Sequence, residues 1–180
     1  DTITYPTDKD TITYPTEGPV DLQTTVTFDA QGYDTKGRLA SYKETKTEKD
    51  SLTNGSELNG TTATTRDSIN YFNTTGQMRD YHEVVEKGGA ATITTDRTFG
   101  DATDDPAKAY NNLGFILKYK DAITSDATPQ LNKTIVDFVA AAYDQRGRLT
   151  SYTETKLEKD KDYTAGSDLY WAQTTTERTN

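Results

Sequence analysis

Apolar residues along this chain seldom come in runs. They alternate with threonine and charge at a period of two. From Arg38 onward, Arg38, Ala40, Tyr42, Glu44, Lys46 and Glu48 share one parity, and Leu39, Ser41, Lys43, Thr45 and Thr47 share the other. That period belongs to a β-strand, whose side chains point alternately to opposite faces. Similar Thr- and Tyr-rich runs return at 61–71, 90–99, 133–143 and 169–179. They are bounded by turn signals: Asn54-Gly55, Asn59-Gly60, Gly88-Gly89, Pro129 and Gly166. The pattern predicts an all-β antiparallel meander of about ten strands. Neither parity is apolar enough for a deep core, so an elongated sheet or open solenoid is expected. Residues 115–117 and 135–142 form the most apolar stretch and the expected local core.

Four segments superimpose without gaps, at 33–44, 72–83, 110–121 and 143–154. Each reads aromatic, Asp/Asn, two variable residues, Gly, variable, Leu/Met/Ile, two variable residues, Tyr, variable, Glu/Asp. The steps from Gly37 to Gly76, Gly114 and Gly147 are 39, 38 and 33 residues. SYKETKTEKD at 41–50 returns as SYTETKLEKD at 151–160. A period of this size marks tandem supersecondary units, here four hairpin repeats. Asp or Asn followed three residues later by Gly suits a type I turn with a left-handed glycine, which closes a hairpin. Gly37, Gly76, Gly114 and Gly147 are therefore expected at positive φ, each between long antiparallel strands. Tyr42, Tyr81, Tyr119 and Tyr152 are expected at equivalent places.

Composition narrows the class. About a fifth of the chain is threonine, 35 of 180 residues, and 12 are tyrosine, which favours strand over helix and over disorder. With 20 Lys+Arg against 29 Asp+Glu the net charge is −9, and no cationic face is visible. Nucleic acid and anionic membrane surfaces are not expected partners. No apolar run reaches membrane-spanning length, so no membrane insertion is expected. Cysteine is absent, which removes disulfides, thiol catalysis and Cys-ligated zinc. The sequence opens at Asp1 without methionine, as a processed mature chain or an excised fragment would.

The repeat motif resembles the YD repeats of the Rhs family in Tyr33-Asp34-Thr35-Lys36-Gly37-Arg38-Leu39 and Tyr143-Asp144-Gln145-Arg146-Gly147-Arg148-Leu149, with degenerate copies at 72–78 and 110–116. It is still more similar to long-period repeats of giant bacterial surface proteins, which share Gly76-Gln77-Met78 and Tyr81-His82-Glu83. The resemblance covers most of 22–180. It implies β-hairpin architecture and an extracellular or cell-surface location. The toxin-enclosing Rhs shell is not implied, because these units are nearly twice the usual length.

Residues 1–20 read as an extended N-terminal arm ahead of a hairpin-repeat domain at 21–180. The arm holds a tandem duplication, Asp1-Thr2-Ile3-Thr4-Tyr5-Pro6-Thr7 and Asp10-Thr11-Ile12-Thr13-Tyr14-Pro15-Thr16. Each copy alternates like a strand that its proline terminates. Two readings stand side by side. In one, Thr2, Ile3, Thr4, Tyr5 or Thr11, Ile12, Thr13, Tyr14 add as a donor strand to a neighbouring copy near 174–178, giving a head-to-tail filament, and the unpartnered arm is mobile. In the other, the arm is a linker within a longer repeat chain.

Sites of chemistry are few. His82 is the only histidine and falls on a strand, so no catalytic histidine array assembles and no enzyme is expected. Glu44, Glu83, Asp121 and Glu154 recur with the repeat and read as scaffold. Asp101, Asp104 and Asp105, or Asp160 and Asp162, could face calcium, but neither run has the spacing of a calcium loop; no metal or cofactor is expected. Asn54, Asn59, Asn73 and Asn132 sit in Asn-x-Ser/Thr, which permits N-glycosylation on an extracellular protein, although Asn-Gly turns explain the first two equally well and Thr-rich strands create such triplets by chance. Tyr170 and Trp171 read as cross-strand or subunit packing ahead of a sugar platform. The expected function is a structural subunit of an extracellular bacterial assembly, self-associating as a homopolymer. The alternatives are an adhesive module for glycan or protein and a fragment of an Rhs-like shell.

Overall fold

A computed structural model of the chain describes residues 9–14, 22–50, 60–88, 90–101, 103–131, 133–162, 164–165 and 170–179. Ten strands appear: β1 Lys9–Tyr14, β2 Leu22–Tyr33, β3 Leu39–Asp50, β4 Gly60–Tyr71, β5 Met78–Lys87, β6 Ile93–Phe99, β7 Lys118–Ser125, β8 Thr134–Tyr143, β9 Leu149–Lys159 and β10 Trp171–Thr179. One 3-10 turn covers Pro106–Lys108, and no α-helix occurs among the described residues. Hydrogen-bonded neighbours follow chain order from β1 to β10, an antiparallel meander. Contacts cluster into two units, Asp1–Ser68 with Glu83–Thr92, and Ile69–His82 with Ile93–Asn180.

The first and fourth turns are built alike. Asp34 donates its N–H to the Arg38 carbonyl at 2.8 Å, and the Gly37 N–H returns to the Asp34 carbonyl at 3.0 Å. The Asp34 carboxylate accepts from the N–H of Lys36 and Arg38 at 2.8 and 2.9 Å. Asp144 repeats this with Arg146 and Arg148. Asn111 does the same with Leu113 and Phe115, as an amide oxygen can. The glycines at these turns have φ of 77°, 84° and 76°.

Two copies of the motif depart from expectation. At the second turn Gly76, φ 73°, donates instead to the Phe72 carbonyl, and Phe72 pairs with Gln77, so the loop is wider. At the third, the turn of Gly114 is flanked by a single bridge, Tyr110 with Ile116. It does not join long strands. β7 pairs instead with β6, from Ile93 opposite Ser125 to Phe99 opposite Tyr119. The intervening residues 100–101 and 103–117 leave the sheet and fold back against it, with Tyr110 against Phe99 and Phe72. Asp105 caps the 3-10 turn by accepting from the Ala107 N–H, and Pro106 supplies the fixed φ that starts it.

That fold-back builds the core. Tyr110 stacks on Phe99 at 5.5 Å and meets Phe72 edge-on at 6.3 Å, and its hydroxyl donates to the Met78 carbonyl at 2.7 Å. Phe72, Tyr81, Phe99, Ala109, Tyr110 and Phe138 are buried. Of the stretches expected to form the local core, 135–142 contributes Phe138 and Ala140, whereas Val139 between them points out and is 46% exposed, and 115–117 are only half-buried.

Residues 9–14 are the second correction. They do not wait unpaired for a partner. β1 pairs with β2 of its own chain, from Lys9 opposite Asp29 through Ile12 opposite Val26 to Tyr14 opposite Thr24. A row of free backbone groups along β2 is satisfied at once by any strand of suitable alternation, and the nearest one in sequence is this.

Candidate functional site

Within each unit, taken by itself, aromatic and guanidinium groups stack in a ladder along the strands. Each motif strand contributes its Tyr and, two residues on, its acid. Neighbouring strands set an aromatic ring or an arginine beside these tyrosines. In the first unit Phe28 of β2 lies 5.1 Å from Tyr42 of β3, opposite whose backbone stands Arg66 of β4. Arg66 covers the Tyr42 ring at 5.5 Å and donates from Nε, at 3.0 Å, and from Nη2 to one oxygen of Glu83.

In the second unit the pattern repeats with a tighter pair. Arg97 of β6 lies 4.1 Å over Tyr119 and 5.8 Å over Tyr81, and donates to both oxygens of Asp121 at 2.6 Å. Asp121 stands opposite Arg97 in the β6–β7 register and is only 5% exposed. The bidentate guanidinium–carboxylate pair neutralises the Asp121 carboxylate and so permits its burial, while Arg97 stays partly exposed. These bonds to Asp121 push the Arg97 guanidinium still further above its ordinary range, against the opposing effect of burial. Burial raises the Tyr119 phenol and takes Tyr110 up to about 12. Next, Phe138 of β8 stacks on Tyr119 at 4.7 Å and touches Tyr152 of β9 at 5.5 Å. Arg178 of β10 then stands opposite Tyr152, as Arg66 stands opposite Tyr42.

The place beside a motif tyrosine is thus taken by Phe28 and Arg66 at Tyr42, by Arg97 and Phe138 at Tyr119, and by Arg178 at Tyr152. Sequence reasoning missed it. Arg66, Arg97 and Arg178 lie at unequal distances beyond Tyr42, Tyr81 and Tyr152, because the connections opposite the motif turns differ in length. Tyr119 and Tyr152 share the ladder with Tyr81 in the second unit, and Tyr42 occupies the matching place in the first. Glu83 and Asp121 hold the guanidinium groups, a concrete role for the recurring acid.

The other singled-out residues disperse. Thr11, Ile12, Thr13 and Tyr14 lie on β1, whereas Thr2, Ile3, Thr4 and Tyr5 lie outside the described residues. So do Asn54, Asn59 and Asn132; Asn73 is exposed in the second turn. His82 binds Asp96 at 2.6 Å through Nδ1, a contact that holds the carboxyl below its ordinary range, with Lys133 at 3.6 Å from the other Asp96 oxygen. Asp101 binds Lys108 at 2.7 Å and the Thr103 hydroxyl, which bring it down to about 2; Asp104 lies 3.6 Å from Arg79 and Asp105 caps the 3-10 turn. Asp160 accepts from the Tyr170 N–H, and Asp162 is exposed. Among the described residues no group of three His, Cys, Asp or Glu is arranged to hold a metal ion, and no helix is long and apolar enough to cross a membrane. Tyr170 and Trp171 are 50% and 48% exposed at the start of β10.

Compared with known proteins, the chain matches no family model, no curated protein and no solved structure.

Proposed function

We propose that this chain is a structural subunit of an extracellular surface assembly, joined to its neighbours by strand addition. The observation that carries the reading is β1: the duplicated Asp-Thr-Ile-Thr-Tyr sequence makes an antiparallel edge strand, with six residues in register on β2. A segment able to satisfy one sheet edge can satisfy another, and the sequence supplies it twice. β10 pairs with β9, and eight of its nine residues are exposed. The outward location follows the resemblance of 33–39 and 143–149 to repeats of bacterial surface proteins. The adhesive alternative has one observation in its favour, the exposed Tyr170-Trp171 pair; the aromatics of the ladder are committed to packing.

Negative-stain imaging and light scattering of the full chain over a rising concentration series test the proposal. Filaments of constant width are expected. A chain that stays monomeric throughout, yet is retained on immobilised glycans through Trp171, moves the reading to the adhesive module.

A further inference from the structure

Among the described residues, Arg178 is the arginine of the ladder that no acid holds. Arg66 and Arg97 each reach forward to a carboxylate of the following strand, Glu83 and Asp121. Arg178 stands opposite a motif tyrosine as Arg66 does, is exposed, and has no carboxylate partner among the described residues. What would complete it is defined by the rung beside Arg97. There the accepting strand reads Asp121-Ala122-Ile123-Thr124, opposite Arg97, Asp96, Thr95 and Thr94. The N-terminal segment reads Asp-Thr-Ile-Thr at 1–4 and again at 10–13.

Laid antiparallel on β10 in the register of β7 on β6, this segment places Asp opposite Arg178. Its Thr, Ile, Thr and Tyr then fall opposite Glu177, Thr176, Thr175 and Thr174. The following proline falls opposite Gln173, where its missing N–H ends the pairing. A slip of one residue sets Asp against Glu177 and turns Ile to the other face; a slip of two leaves Arg178 unmet. One register is therefore preferred by charge and by face together.

We propose that the outer edge of β10 receives the Asp-Thr-Ile-Thr-Tyr strand of a second copy of this chain, aligned by an ion pair between Arg178 and the leading aspartate. This rests on the assembly reading above and adds its register. It also gives the duplication a use, since one copy of the sequence is engaged on β2 of its own chain.

Charge exchange tests it. Arg178→Glu in the full chain is expected to abolish filaments while circular dichroism is unchanged, because the side chain is exposed at an edge. Asp1→Lys with Asp10→Lys is expected to do the same, and the triple variant to restore filaments. A labelled Asp-Thr-Ile-Thr-Tyr-Pro-Thr peptide is read in parallel by fluorescence anisotropy. Binding to the full chain should weaken about tenfold or more in Arg178→Glu, as for one close charge pair across an interface, and return with a peptide that begins with Lys. If filaments and peptide binding both survive Arg178→Glu, the register is wrong while strand assembly stands. If the wild type forms no filaments and binds no peptide, the assembly reading fails and this inference with it. Peptide binding that depends on Arg178 without filaments keeps the docking edge and removes the polymer.

Discussion

At the residue scale the turns carry the most exacting requirements. Gly147 has φ 76°, and a Cβ placed there would run into the Phe115 ring, which packs 5.1 Å from Tyr143. Gly114 has φ 84° but meets only the end of Gln77 at 3.5 Å. Gly114→Ala therefore carries the backbone strain alone, about 1–2 kcal/mol. Gly147→Ala adds displacement of a packed ring, and urea denaturation should rank it clearly below Gly114→Ala. Equal midpoints would mean that the Phe115 contact contributes nothing.

The turn aspartates make stability depend on acid. Asp34 and Asp144 are held below the ordinary carboxylate range, first by the N–H of Arg38 and of Arg148, and Asp101 is brought to about 2 chiefly by Lys108. A carboxyl depressed in the folded state stabilises fully above its unfolded value of about 4 and loses that contribution as pH falls through the folded value. Denaturation midpoints should therefore be flat from pH 6 to 5 and fall steadily from pH 4 to 2. Asp144→Asn keeps an acceptor for the turn amides, as Asn111 does naturally. It should lower the plateau slightly and flatten part of the acid limb. An unchanged acid limb would place the sensitivity elsewhere.

At the element scale the two ion pairs of the ladder differ in how much each holds. Arg97 and Asp121 are 25% and 7% exposed along their side chains, and Arg66 and Glu83 are 24% and 18% exposed. Removing one partner of a buried pair strands the other charge, at a cost of about 3–5 kcal/mol. A pair that water still reaches costs about 1 kcal/mol. Arg97→Met should thus destabilise far more than Arg66→Met. Arg97→Met with Asp121→Leu should recover much of the loss, because no charge is then left without a partner. A double variant as unstable as the single would show that the guanidinium works through its stacking on Tyr119 and Tyr81.

Much of this element-scale order was legible in sequence, and what was hidden had a physical cause. Period-two alternation and the Asp/Asn-x-x-Gly signal are local, so the strands at 60–71, 134–143 and 171–179 and the left-handed glycines could be read directly. The third motif copy misled, because residues 103–117 carry the turn chemistry of Asn111 and Gly114 on a segment that leaves the sheet. Nothing local distinguishes a turn at a sheet end from one on a fold-back. The ladder was hidden because register between neighbouring strands depends on connections of unequal length. The charged appearance of both strand faces concealed that Arg97 neutralises the buried carboxylate of Asp121.

At the scale of the whole molecule, net charge decides how copies meet. Each chain carries −9, so two copies repel at a distance before any edge can pair. The proposed contact between Arg178 and an aspartate is a single short-range attraction of opposite sign. Salt acts unequally on the two. Raising ionic strength from 0.01 to 0.15 M shortens the screening length from about 30 Å to about 8 Å, which removes most of the long-range repulsion but little of a contact made within a paired edge. Nine net charges outweigh one pair in the approach, so assembly should accelerate with salt over this interval, followed by light scattering at pH 7. Lowering the pH toward the isoelectric point near 4.6 should have the same effect at low salt, because the repulsion then vanishes by titration. Arg178→Glu should remain unassembled under both conditions, since screening restores approach and not the missing pair. Assembly that slows with salt in the wild type would mean that attraction between charged surfaces, and not backbone pairing at the β10 edge, holds the copies together.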